Sequence, residues 1–517
     1  MSIRKRPNVL ILFTDQQRHD TIEAHGNPFI RTPVLNGLSK RGVHFTRAYT
    51  PCPVCVGARY SMLTGQLPHR TGCADNEPSS YRRSLMEVFR DNGYQTMGVG
   101  KMHFTLTEPS AGEVDSLQAF IGANTNLAEK WGFERRLTSE CDDADDYKKF
   151  VRAAGYGHVA DATGERSEMY YIPQPAQVPA ELTETAWVAN RSIDFLKSRD
   201  IGRPFFLMTS FQAPHPPFVA PFPWNKLYRG ADMALPMKPE GFEHLQTLWN
   251  KYQNRYKYTD QGVGGNQLRT MKAYYYAMIS FLDYQIGMLL AFLESEGLMD
   301  NTVILFTSDH GELLGDYGCF GKRCFLDAAA RVPMILTYPG CQTGARVDDP
   351  VSLVDVFPTL LELARIEDDL DLSGESLLAA IDGRPRREAI YGQFQHAGLA
   401  SYMAVAGEYK YVYSAPDNRE WMFDLRGGGG ETRSIAGNPL YARKTDEMRS
   451  RLIEFFREEG YVEPIDGGVW KRYPARDLTD DPDAYLLFQD AGAIVPEIEG
   501  YVTDANSLKY FRNSWYE

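Results

Sequence analysis

Four short apolar stretches of this 517-residue chain run into side chains that can bind a metal or move a proton. Asp15-Gln16 follows Val9–Phe13, and Lys101 with His103 follows Thr96–Val99. His215 follows Phe205–Met208 through Thr209-Ser210, and Asp309-His310 follows Val303–Phe306. Lys322 comes next, in the loop after Asp309. The Asp-Gln and Asp-His pairs offer oxygen ligands and one imidazole. That donor set suits a hard divalent cation, Ca²⁺ first and then Mn²⁺ or Mg²⁺, better than a metal that seeks thiolates. A single Asp at a strand end is as readily the cap of the next helix. Two such pairs favour the metal. Lys101, His103, His215 and Lys322 would individually read as surface or satisfied core groups; what sets them apart is that each stands beside one of these strand ends.

A fifth stretch, Cys52-Pro-Val-Cys55-Val-Gly57-Ala58-Arg59 through Leu63-Thr64-Gly65, carries a nucleophile. Residues 58–64 predict a helix stopped by Gly65, which puts Cys55 near a helix N-terminus. The positive end of the helix favours anions there and lowers a thiol pKa. Arg59, one turn on, adds a cation, an environment that suits both a nucleophile and an anionic substrate. Two plainer readings stay open. Cys52 and Cys55 form a C-x-x-C that Cys319 and Cys324 could complete as a zinc site, and Cys55 could be a buried structural thiol.

The elements that must position these groups are strands. Continuous apolar runs bounded by polar residues suit fully buried strands of a largely parallel sheet, and ligands bind outside the carboxyl ends of such strands. The spacing at 271–296 predicts an amphipathic helix, and Ser84 to Asn92 a shorter one. Segment 104–180 reads as an insertion or a set of loops. Beyond about 385 the pattern changes, with Tyr409–Tyr413 alternating like an antiparallel strand and a helix over 440–458. The expected organisation is residues 1–385 as a catalytic α/β domain and 386–517 as a C-terminal α+β subdomain ending in an extended tail. That tail is a candidate surface for self-association.

Composition narrows the class. With 43% hydrophobic and 24% charged residues the chain is an ordinary globular one, not a disordered one. A net charge of −13 without a long basic run argues against nucleic acid and anionic membrane surfaces. No apolar stretch approaches the roughly 18 residues of a membrane span. Arg4-Lys5-Arg6 before Val9–Phe13 imitates a secretory signal, but no small-residue cleavage site follows. Seven cysteines, an odd count, do not form a disulfide framework. The expected compartment is the cytoplasm.

Taken together, Asn8-Val9-Leu10 through Asp15-Gln16-Gln17, Cys55-x-x-x-Arg59 with Leu63-Thr64-Gly65, Gly100-Lys101-x-His103, Ser308-Asp309-His310-Gly311 and Val354–Leu360 resemble, in order, the type I sulfatases of the alkaline phosphatase superfamily. The resemblance implies an alkaline phosphatase-like fold, a large mixed and mostly parallel sheet flanked by helices. It implies that a maturation enzyme converts Cys55 to formylglycine, whose hydrated aldehyde attacks sulfur. It also implies a metal held by Asp15, Gln16, Asp309 and His310 together with residue 55. Phosphonate monoester and phosphodiester hydrolases share these features, and they resemble the chain in Asn76, a substrate-binding candidate, and in Ala58-Arg59. They usually lack the Lys-x-His of Lys101 and His103, which tips the reading to sulfate monoesters. Gly57 is a departure, since Pro or sometimes Ala stands at that place in the maturation signal. An unconverted Cys55 would leave a slow thiolate enzyme or a non-catalytic anion binder. In the expected reaction Arg59 and Lys101 hold the nucleophile, His215 and Lys322 bind the sulfate and help protonate the leaving oxygen, and His103 removes the final proton.

Overall fold

The computed structural model describes residues 6–77, 81–103, 131–140, 145–164, 171–256, 262–426, 430–474 and 476–478. The tail proposed for self-association lies outside them, as does the whole of 104–130.

The main sheet contains β1 (Asn8–Thr14), β2 (Val43–Phe45), β3 (Gln95–Gly100), β4 (Arg135–Thr138), β5 (Phe205–Ser210), β6 (Thr302–Ser308), β7 (Met334–Thr337) and β8 (Ala345–Val347). Their order is β8-β2-β7-β6-β1-β5-β3-β4. From β6 to β4 every neighbour pairs in parallel, while β7 runs antiparallel to both β6 and β2. Every residue of β1 is buried, and its side chains alternate between two cores. Val9, Ile11 and Phe13 pack with α2 (Cys55–Thr64), α3 (Leu85–Asp91) and α6 (Val356–Ala364). Leu10 and Leu12 pack on the opposite face with α1 (Pro33–Arg41), α4 (Glu184–Ser198) and α5 (Gly265–Ser295). A strand covered on both faces needs apolar residues at both parities, which is why these strands read as unbroken apolar runs.

Because β1, β3, β5 and β6 are parallel, their carboxyl ends share one edge. Thr14 stands opposite Ser308, Phe13 opposite Ser210, and Ser210 opposite Gly100. All four expected strands therefore deliver their polar residues to one place.

Three expectations need correction. Segment 104–180 is more than loops: Arg135–Thr138 extends the main sheet beside β3. Its Arg-Arg-Leu-Thr sequence hid it, because an edge strand covered on one side need not be apolar. Secondly, α5 contains an 18-residue stretch long and apolar enough to cross a membrane, with 67% of it buried inside the fold. Interleaved Tyr, Ser, Gln and Asp residues keep that stretch from reading as an apolar run. It serves as a core helix of the α4–α5 layer. Thirdly, α2 begins at Cys55 rather than 58.

At the C-terminal end, β9 (Ala389–Phe394), β10 (Ser401–Ala406), β11 (Tyr409–Ser414) and β12 (Arg419–Asp424) form an antiparallel meander. One face packs on α7 (Ala442–Glu458) through Tyr402, Tyr411 and Met422 against Met448, Leu452 and Phe456. The other face, through Met403, Val405 and Val412, joins a core shared with Cys52, Leu313 and Phe325 of the body.

Candidate active site

Cys55 is the first residue of α2, and its thiol is buried at the shared strand edge. Val54 precedes the helix without a side-chain cap; instead Asn76 Oδ1 accepts the Val56 N–H at 3.0 Å. Asn76, expected to touch substrate, thus has its amide oxygen turned to the helix terminus, where it satisfies an otherwise orphaned donor.

Around Cys55 Sγ stand Lys322 Nζ at 2.9 Å, His310 Nε2 at 3.3 Å, Asp15 Oδ1 at 3.8 Å and Lys101 Nζ at 4.0 Å. Burial opposes ionisation of the thiol, but Lys101, Lys322 and His310, with a hydrogen bond from His103, hold it well below its ordinary value. His215 also reaches the thiol. Burial pushes that imidazole down to about 3, with Lys322 and Lys101 adding to burial and Asp15 opposing it.

Arg59 departs from its expected role. It gives Cys55 no hydrogen bond; Nε donates to Asp309 Oδ2 and Nη2 to Asp15 Oδ2, each at 3.0 Å, and Nη1 to the Lys101 carbonyl at 2.8 Å and Ser210 Oγ at 3.0 Å. A planar five-donor fork matches two carboxylates better than one sulfur. Arg59 therefore ties together the ends of β1, β3, β5 and β6. Lys101 Nζ lies 2.6 Å from Asp15 Oδ2. Burial and the thiol oppose ionisation of Asp15, yet Lys101, His215 and Arg59 keep its carboxyl well below the usual range.

Lys101 and His103 do not lie on an extended segment. β3 ends at Gly100, whose φ of +98° turns the chain, and a Cβ there would meet the Ser210 carbonyl oxygen at 1.8 Å. His103 itself has φ +50°. Glu140 holds this turn by accepting both the Met102 N–H at 2.6 Å and the His103 N–H at 2.9 Å. Both side chains reach the thiol by way of this turn.

The metal donors converge as expected from their types. Oxygens of Asp15 and Asp309, Nε2 of His310 and Sγ of Cys55 lie within 4.8 Å of one another, all buried. His310 Nδ1 donates to the Gly311 carbonyl at 3.0 Å, which turns Nε2 toward the site. Burial, then the charge of Asp15, raises the Asp309 carboxyl, a penalty that a divalent cation between the two carboxylates would remove. The donor set fits a hard cation. Among the described residues the rival zinc site does not assemble: Cys52, Cys319 and Cys324 bring no group of metal-ligating atoms together, and burial raises all three thiols.

Sequence reading missed Glu312. Fully buried, it accepts from Gln16 Nε2 and from Leu314 N at 2.8 Å, while Gln16 Oε1 accepts from Lys322 Nζ at 2.9 Å. The carboxylate fixes which end of the Gln16 amide faces the site. Its signal was present, an acid two residues after His310 in the same loop.

A model of the sulfatase family matches residues 7–366, well over half of the chain. The chain belongs to the sulfatase family. The C-terminal model of N-sulphoglucosamine sulphohydrolase matches residues 315–458 of this sulfatase. An arylsulfatase from Clostridium perfringens is 31% identical over 492 residues, covering 92% of this chain and 99% of the relative. A choline-sulfatase from Rhizobium meliloti is 32% identical, covering 84% and 83%. Among solved structures, a phosphonate monoester hydrolase from Silicibacter pomeroyi superposes with a TM-score of 0.75 at 24% identity, over 91% of this chain and all of the other. These relatives place the chain among ester hydrolases.

Proposed function

We propose that the chain hydrolyses sulfate monoesters, with residue 55 as the nucleophile after a maturation enzyme converts Cys55 to formylglycine. The carrying observation is the cluster of Lys322, His310, Lys101, His103 and His215 around one buried residue at a helix N-terminus. The named activities of the arylsulfatase and choline-sulfatase relatives support it. Converted residue 55 would supply a hydrated aldehyde hydroxyl as nucleophile, and a divalent cation held by Asp15, Gln16, Asp309 and His310 would supply positive charge beside it.

The chain's own groups divide the remaining work. Lys322, nearest to residue 55, donates to the sulfate oxygens and the departing oxygen. Lys101 balances Asp15 and places its ammonium beside the nucleophile. His215 is a neutral imidazole whose Nδ1 faces the Pro216 carbonyl at 2.5 Å. Its proton is on that nitrogen, so Nε2 accepts rather than donates. Leaving-group protonation therefore falls to Lys322. His103, held in its turn by Glu140, takes a proton from residue 55.

The mass of the peptide containing residue 55, from active protein made in its native host, tests the nucleophile; a fully intact thiol would overturn it. A panel of aryl sulfate, aryl phosphonate and phosphodiester with one chromophoric leaving group tests the substrate class. A higher kcat/KM for the sulfate supports the reading, whereas preference for either phosphorus ester transfers the site to phosphonate monoester or phosphodiester hydrolysis.

A further inference from the structure

Gly57 departs from the maturation signal, and the structure shows what stands in the space it leaves. It is the third residue of α2, in right-handed helical backbone, so chain conformation does not call for glycine. Space does. A Cβ at Gly57 would lie 2.5 Å from Cys52 Sγ, 3.1 Å from Cys52 Cβ and 3.2 Å from the Cys73 carbonyl oxygen.

Cys52 has little freedom to move away. It is fully buried, and its thiol donates to the Ala74 carbonyl at 3.3 Å. Its own carbonyl accepts from Val54 N at 2.8 Å and Thr50 Oγ1 at 2.9 Å. The segment that carries Ala74 also reaches the helix through Asn76 and Val56 N. The first turn of α2 is thus seated against Cys52 on one side and capped by Asn76 on another.

We infer that Cys52 is a positioning residue for the nucleophile: its side chain, three residues upstream, fills the volume that a side chain two residues downstream would take. Cys52 and Gly57 then form one steric unit that sets how deep the first turn of α2 sits. That depth decides the distances from residue 55 to Lys322 and His310. The inference rests on the proposed role of residue 55. It also gives a reason for the departure at 57: with Cys52 in place, an alanine or proline there would lift the turn that carries the nucleophile.

The test is a double-mutant cycle of Gly57→Ala, Cys52→Ala and the pair together, with rates on a chromogenic sulfate ester expressed per converted residue 55 by peptide mass. Gly57→Ala should lower kcat about 30-fold with KM within about twofold, because a displacement of a few tenths of an ångström to 1 Å at a reacting atom is costly. Cys52→Ala alone, which opens a small void, should cost no more than about threefold. The double variant should regain at least about tenfold over Gly57→Ala, a non-additivity expected only of residues in contact. Gly57→Ala at the wild-type rate, or a double variant no faster than Gly57→Ala, would overturn the inference. If Gly57→Ala fails to fold, a double variant that folds and turns over supports the pairing, and one that stays unfolded refutes it. Should the wild-type protein prove inactive on every ester, the proposed function falls. The pairing is then decided by whether the double variant melts above Gly57→Ala.

Discussion

Lys322, in the loop after β6, and Lys410, on β11, are both lysines almost without exposure, at 3% and 0%. Their surroundings differ. Lys410 Nζ lies 2.6 Å from Asp327 Oδ1 and also meets Glu431, itself 1% exposed. One cation thus has two acids; burial raises the Glu431 carboxyl to about 7, while Lys410 and Arg331 hold Asp327 low against burial. The cluster is closed on itself and joins β11 to the body. Lys322 instead faces an amide oxygen and a thiol. Among the described residues no carboxylate forms an ion pair with it, and its nearest partners belong to the reactive cluster. Buried charge alone does not mark a site; the partners that the charge meets do.

The largest expected effect bears on the reactive cluster. Cys55→Ala should lower kcat by roughly 10⁵-fold, since groups that act as a unit fail together. Its thermal midpoint should stay within a few degrees of wild type. A residual rate above 1% of wild type, corrected for contamination, would remove residue 55 from the nucleophile role.

The next pair of substitutions separates the two lysines. Lys322→Met should cost about 10²–10³-fold in kcat, as for loss of one preorganised donor to developing charge, with little loss of stability. Lys410→Met should leave kcat per folded molecule unchanged and destabilise by about 3–5 kcal/mol, because it strands a buried acid pair. Urea melts and rates on both variants check this, and an exchange of the two phenotypes would refute the contrast.

Glu312→Gln should weaken divalent-metal affinity and kcat by about 10–100-fold, the usual range for a group that orients a ligand. Titration of Ca²⁺ by calorimetry, beside the rate, distinguishes lost orientation from unfolding. Asp309→Asn should weaken the same affinity further, because it removes a charged ligand.

The smallest effect concerns a third buried acid, Glu184. Burial raises it to about 8 despite hydrogen bonds from Ser139 Oγ at 2.8 Å and Gln212 N at 3.2 Å. A folded-state pKa above the unfolded 4.5 means that the fold favours the protonated acid. Its contribution is fully present below about pH 4.5 and is lost as pH rises through about 8. Glu184→Gln should therefore gain on the order of 1 kcal/mol relative to wild type between pH 5 and pH 6. Denaturant melts at both pH values measure it, and a gap that narrows with rising pH would contradict the assignment.

Much of this was legible in the residues. Val9–Phe13, Thr96–Val99, Phe205–Met208 and Val303–Phe306 are strands, because a strand covered on both faces must be apolar throughout. Parallel pairing then sends Asp15, Lys101, His215 and Asp309 to one edge. The strand at 135–138 was illegible, since an edge position relaxes the apolar demand. The true start of α2 was hidden because its cap comes from Asn76, outside the local sequence.

The order of the motifs along the chain determined by itself the family, the fold class and Cys55 as the candidate nucleophile. Each of those is carried by residue type and local spacing. Only the tertiary structure decided which partner each charge finds: Arg59 on Asp15 and Asp309, Glu312 on Gln16, Lys322 beside Cys55, and Cys52 over Gly57. Apart from the last, these pairs lie 44 to 296 residues apart. Hydrogen bonds and steric contacts act over about 3–4 Å, a range that sequence separation does not encode.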